Sequence, residues 1–215
     1  MRRESSTVVV VVGEVQEVLL DEVARFPNVC VARPPQGEAD SFEAAAGALR
    51  RASGGIAPYI LVPADPLAAV AAEWRAMWDL SQGPRGAAGF EERAAEAIAA
   101  WRAGRFELPD YYLALASTVA TDAGPDFYLG PLRAARPRRV AAAVTADGPQ
   151  QATRVLDALR SLPHGPWWPP LDELIDTTRH FFAGALSESH TSSLNPGLAP
   201  GLAHVVAPAR SHDRG

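Results

Sequence analysis

Five consecutive valines, Val8 to Val12, leave this chain few choices of fold. β-Branched side chains are stiff at χ1 and crowd a helix, but they pack well on a pleated strand. A strand with one wet face alternates apolar and polar residues. This run has no polar interruption, so it reads as a strand covered on both faces, the setting of a parallel sheet with helices above and below. Gly13 ends the run, an amphipathic segment from Glu14 to Arg25 follows, and Asn28-Val29-Cys30-Val31-Ala32 is a second apolar stretch. Thr7 to Pro35 is therefore a strand, helix, strand opening, with Val8 to Val12 as a central strand and Cys30 in the core of its neighbour.

The rhythm continues along the chain. Asp40-Ser41 is a helix start, with Phe42, Ala45, Ala46 and Leu49 on one face and Gly54-Gly55 as the stop. Tyr59-Ile60-Leu61-Val62 is a third strand, and Asp65-Pro66 opens the next helix. That helix carries Leu67, Val70, Ala71, Trp74, Met77 and Trp78 at spacings of three and four. After a Gly, Pro and Arg loop over 81–89, a second helix from Phe90 to about Ala103 puts Phe90, Ala94, Ala97, Ile98 and Trp101 on one stripe. Two amphipathic helices with no strand between them form a hairpin, about 66–103, inserted into the α/β pattern, and the aromatic stripe is its packed seam.

Tyr111 to Ala116 is the fourth strand, with helix as the alternative because alanine and leucine favour it. Phe127 to Ala135 is a short helix or turn stopped by Pro137, and Val140 to Val144 is the fifth strand. A helix from about Pro149 to Leu162, a rigid Pro- and Trp-rich loop over 163–170, and a last helix from Leu171 to about Ala183 complete the series. From Ser187 the composition shifts to Ser, Pro, Gly and His without apolar periodicity, which reads as a flexible tail. The expected fold is a three-layer α/β sandwich with a mostly parallel sheet of about five strands. Residues 1–186 form its single domain, and 187–215 form a disordered C-terminal tail.

Composition removes several chemistries. All 20 basic residues are arginine, in the manner of a GC-rich coding sequence, so Schiff-base chemistry, a P-loop lysine and a lysine general base are excluded. The net charge of −5 gives no general attraction to nucleic acid or anionic membranes. A single cysteine allows no internal disulfide and suits a reducing, cytoplasmic setting. The Met-Arg-Arg start is not a secretion signal, because Glu14 and Glu17 follow a short apolar run, and no segment is long enough to span a membrane.

In an open parallel sheet, ligands bind beyond the carboxyl ends of the strands. The residues just past those ends are Gly13 and Glu14, Arg33, Asp65, Ser117 with Thr118 and Asp122, and Thr145 with Asp147. Glu14, Asp65 and Asp147 are the candidate metal-holding and catalytic carboxylates, which together would hold Mg²⁺ and recruit a phosphate. The competing reading is local. Asp65 before Pro66 and Asp147 before Gly148-Pro149 stand where an Asp caps a helix, worth about 1 kcal/mol each. Gly13 lacks the two further glycines of a dinucleotide-binding turn. The order Gly13-Glu14, and Asp65 followed by Pro66 and Leu67, depart from the Glu-Gly and Asp-x-Asp pattern of toprim nucleotidyl-transfer domains, so no family is assigned. His164 and His180 stand in no recognisable catalytic motif.

Two features point to a partner. Arg133, Arg136, Arg138 and Arg139 concentrate positive charge in a negative chain and suit phosphate or an acidic partner. Trp167 and Trp168, adjacent in a stiff loop, either plug the core or present an interface anchor. The sequence thus favours a non-catalytic cytoplasmic binding or accessory protein that works through protein–protein contacts and needs no cofactor. The alternative is a Mg²⁺-dependent enzyme acting on a phosphate-bearing small molecule or nucleotide at the carboxyl edge of the sheet.

Overall fold

The valine run is the middle strand of the sheet. In the computed structural model, which describes residues 6–13, 15–35, 37, 41–77, 84–117, 126–145 and 150–179 and leaves out the side chains of 84–86, 116–117 and 144–145, five strands form one sheet. They are β1 (Thr7–Gly13), β2 (Val29–Val31), β3 (Tyr59–Val62), β4 (Tyr111–Ser117) and β5 (Val140–Thr145). Their order is β2-β3-β1-β4-β5 and every pair is parallel. Val8, Val10 and Val12 enter one hydrophobic layer while Val9 and Val11 enter the other, which is why the run never alternates with polar residues. The Tyr111 segment is strand despite its alanines and leucines, because β1 and β5 pair with it on both sides.

Helices α1 (Glu17–Val23) and α6 (Gln151–Arg160) cover the Val9/Val11 face with Leu19, Val23, Val155, Leu156 and Leu159. The opposite face carries α2 (Phe42–Ser53), the hairpin of α3 (Ala68–Ala76) and α4 (Pro84–Arg102), a π-helix (Tyr128–Leu132) running into α5 (Arg133–Ala135), and α7 over 171–179. The crossover from β1 to β2 runs towards one edge on the first face. Those from β2 to β3, β3 to β4 and β4 to β5 run the other way on the second face. Direction and face reverse together, so all four crossovers share one hand.

Three expectations are adjusted. α4 starts at Pro84, inside the stretch read as a loop over 81–89, because proline at a first helical turn costs no hydrogen bond. Phe127 to Ala135 is wound partly as a π-turn, where Pro131 withholds one N–H from the ladder. Cys30 is exposed and not in the core. β2 is an edge strand, and the layer that buries its neighbour Ile60 does not extend over it. The segment 187–215 lies outside the described residues, and within them no helix is long and apolar enough to cross a membrane.

Gly13 closes β1 with φ +101°, a conformation that L side chains rarely adopt, and a Cβ there would stand 2.3 Å from the Leu115 carbonyl oxygen of β4. Its identity is set by the sheet and needs no ligand to explain it. Gly13→Ala should therefore destabilise the protein by about 3 kcal/mol, from left-handed strain and a backbone clash together. Urea denaturation measures this; a loss below about 1 kcal/mol contradicts the geometry.

Candidate functional site

At the carboxyl edge, most of the expected acidic site falls outside the described residues. Glu14, Thr118, Asp122 and Asp147 lie outside them. Arg33 turns to α1, where its guanidinium donates to Glu17 and Asp21. No three His, Cys, Asp or Glu among the described residues lie close enough together to share a metal ion.

Asp65 points inward. The chain leaves β3 at Val62 and folds back so that Ala64, Asp65, Pro66 and Leu67 are all buried. The Asp65 carbonyl accepts from the Ala68 N–H at 3.0 Å and its Oδ1 accepts from the Leu67 N–H at 3.0 Å, which closes the turn that starts α3. Two tyrosines complete its surroundings. The Tyr128 hydroxyl, on the π-helix, donates to Oδ2 at 2.6 Å, and the Tyr112 hydroxyl, on β4, donates to Oδ1 at 3.1 Å. Burial pushes the Asp65 carboxyl up to about 6, against the pull of the hydrogen bonds from Tyr128, Leu67 and Tyr112. Burial, and then the Asp65 charge, hold both phenols well above their ordinary range, so they act as donors. Both carboxylate oxygens thus serve α3, β4 and the π-helix. This three-way tie holds the second helical layer to the sheet. The two tyrosines stand 47 and 63 residues from Asp65 in sequence, and no local pattern links them to it.

At the opposite edge, where the strands begin, the arginine cluster and the tryptophan loop prove to be one assembly. Leaving α6, residues 163–170 run without regular secondary structure across the starts of β4 and β5. The Arg136 Nε donates to the Trp167 carbonyl at 2.9 Å and an Arg138 Nη to the His164 carbonyl at 3.1 Å. Arg139 donates through Nε to Pro166, through Nη2 to Gly165 and through Nη1 to Asp110, all at carbonyl oxygens and between 2.7 and 3.2 Å. A five-donor planar fork suits this work, and each bond to a charged donor is stronger than a neutral one. Gly165 is required by the approach: a Cβ there would stand 2.7 Å from the Arg138 Cβ. Arg133, the fourth member, is exposed at the start of α5.

The two tryptophans divide by burial. Trp168 is 5% exposed, its Nε1 donates to the Pro109 carbonyl at 2.7 Å, and its ring meets Tyr112 edge-on with centroids 5.7 Å apart. Trp167 is 50% exposed. The Arg139 guanidinium lies between two aromatic rings, 4.9 Å from the centroid of Trp167 and 5.0 Å from that of Tyr111. Beside this stack opens a cavity of about 820 Å³ whose walls include Trp101, Leu108, Tyr111, Trp167, Trp168 and Pro170. Ser6, Thr7, Glu107, Asp110, Arg139 and His164 supply its polar edge. Asp110 also fixes the entry to β1: its Oδ2 accepts from the Val8 N–H at 2.7 Å and its own N–H donates to the Val8 carbonyl at 2.9 Å.

Of the residues singled out from sequence, then, Arg136, Arg138, Arg139, Trp167, Trp168 and His164 come together at the amino edge, and Asp65 lies apart from them. His180 lies outside the described residues. Tyr111, Asp110, Glu107 and Trp101 line the same cavity and were not foreseen there, since they reach it from the start of β4 and the end of α4. No known family model, curated protein or solved structure matches the chain.

Proposed function

We propose that this protein is a non-catalytic cytoplasmic binding protein that docks a protein partner at the amino-terminal edge of its sheet, with Trp167 as the anchor. One observation carries the reading: a half-exposed indole stands at the mouth of a cavity on a loop pinned by three arginines. A large exposed aromatic ring is costly in water, and a rigid one loses little entropy when a partner covers it. Interface energy concentrates in such tryptophans, with losses of 2 kcal/mol or more on truncation. The arginines contribute by shaping the loop; their N–H groups are directed at carbonyls of their own chain.

The test compares baits. The full chain and its Trp167→Ala variant are immobilised and exposed to the same lysate, and the variant is expected to retain at most about a tenth of each specifically captured protein, with a thermal midpoint lowered by no more than about 4 °C. Arg133→Glu, which alters the charge of the cluster without touching the loop's bonds, should capture as the parent does. Equal capture by the parent and Trp167→Ala overturns the anchor. Loss on Arg133→Glu instead would move the contact to the charged patch.

A further inference from the structure

We infer that the partner docked at the amino-terminal edge is a second copy of this chain, related to the first by a two-fold axis, with the 163–170 loop of each against the aromatic walls of the other's cavity. This rests on the docking reading above and names its partner.

One chain carries both halves of such a contact. Trp101, Tyr111 and Trp167 give the cavity aromatic walls, and Pro169 and Pro170 belong to the same lining. Prolines in an extended segment dock on aromatic-lined grooves because their conformation is already set and little entropy is lost. The loop over 163–170 has no regular secondary structure and holds four prolines, of which Pro163, Pro166 and Pro170 are exposed. A contact between identical chains about a two-fold axis needs a surface that complements itself. A surface that holds both the rings and the prolines that pack on them meets that need.

The loop is also ready to be covered. Its prolines have no N–H to strand, and the carbonyls of His164, Gly165, Pro166 and Trp167 already accept from arginines of their own chain, so removing water from it leaves few polar groups unpaired. Trp167, half in solvent, is the large ring that a copy would cover. Charge points the same way. Glu107 and Asp110 stand before β4, and Arg136, Arg138 and Arg139 stand before its neighbour β5, so the edge carries both signs side by side and favours neither a cationic nor an anionic partner. A two-fold axis between the two strand starts reverses this row and sets the basic end of each copy against the acidic end of the other. The net charge of −5 on each chain acts at longer range, and physiological salt screens it beyond about 8 Å.

The experiment is sedimentation equilibrium of the full chain from about 1 to about 100 µM at physiological salt, a range that spans the affinities of reversible dimers. The mass should rise from 22.8 kDa to twice that value and stop there, since a two-fold contact closes on itself. Trp167→Ala should raise the dissociation constant of the dimer at least about tenfold, as loss of an interface tryptophan does. Val18→Ser, which removes another exposed apolar side chain on α1, should leave that constant unchanged. A parent that keeps the mass of one chain throughout overturns the second-copy inference. The bait comparison then judges Trp167 by itself, and captures lost on Trp167→Ala keep the anchor with a different partner. A dimer that ignores Trp167→Ala, or that Val18→Ser weakens as much, is built on another surface and overturns the inference. Mass that grows past two chains overturns the two-fold arrangement and the inference with it.

Discussion

Between about pH 4 and pH 7 the wild-type protein should lose roughly 3 kcal/mol of unfolding free energy that an Asp65→Asn variant keeps. The folded carboxyl titrates near 6, raised by burial from 3.8. Below the lower value the group is neutral in both states and the folded form carries no desolvation cost. Between the two values the folded chain still holds the proton while the unfolded chain has released it, so each pH unit removes about 1.4 kcal/mol. Above 6 both states are ionised and the loss is complete. Asparagine keeps one acceptor oxygen, puts an N–H₂ donor in place of the other, and has no charge to bury, so whatever its overall stability it lacks this slope. Urea denaturation of both proteins from pH 4 to pH 8 measures the difference, and parallel curves would remove the buried carboxylate from the account. Asp65→Ala is harsher. It leaves the Tyr112 and Tyr128 hydroxyls and the Leu67 N–H without their acceptor, and should cost about 3 kcal/mol or more at pH 5. Tyr128→Phe removes the shortest of the three bonds and should move the wild-type transition further up in pH.

A buried carboxyl with a raised pKa is also what a catalytic acid looks like. Here its donors come from the turn, strand and helix it joins, and the cavity lies at the other end of the strands. The pH profile of stability is where Asp65 should be visible.

The strands were legible because burial on both faces writes itself as an uninterrupted apolar run; Tyr111 to Ala116, rich in alanine and leucine, read as helix almost as well, and its pairing with β1 and β5 makes it a strand. The same signal misplaced Cys30. An apolar run of three reads alike at the centre of a sheet and at its edge, and only the pairing of β2 with β3 alone reveals which. The arginine cluster was visible as charge, but its role depends on acceptors that sequence does not mark. The carbonyls it holds are backbone atoms 26 to 31 residues downstream and, for Asp110, 29 residues upstream, identical in kind at every residue. The tryptophan pair drew notice by composition alone. Asp65 was read as a cap and does close the turn into α3, yet its two tyrosine partners arrive from elements that only the crossovers bring near. The Glu14 and Asp147 candidates fall outside the described residues.

Adjacent and chemically identical, Trp167 and Trp168 should respond very unequally to the same substitution. Trp168→Ala should destabilise the protein by about 3–5 kcal/mol, the range for emptying a buried aromatic site, because it opens a void under the loop, removes the edge contact with Tyr112 and leaves the Pro109 carbonyl without its donor. Trp167→Ala should cost about 1 kcal/mol or less, since the ring it removes is half in water and the backbone bonds to Arg136 and Arg139 remain. Arg139→Lys lies between them. The charge persists, but a compact ammonium cannot reach three carbonyls and two ring faces at once, so the variant should lose about 1–2 kcal/mol and expose the loop to limited proteolysis. Thermal melts of the three variants, followed by proteolysis, read this order directly. If Trp168→Ala melts with the parent and Trp167→Ala does not, the division of one inner and one outer indole is wrong, and the case for Trp167 as an anchor goes with it.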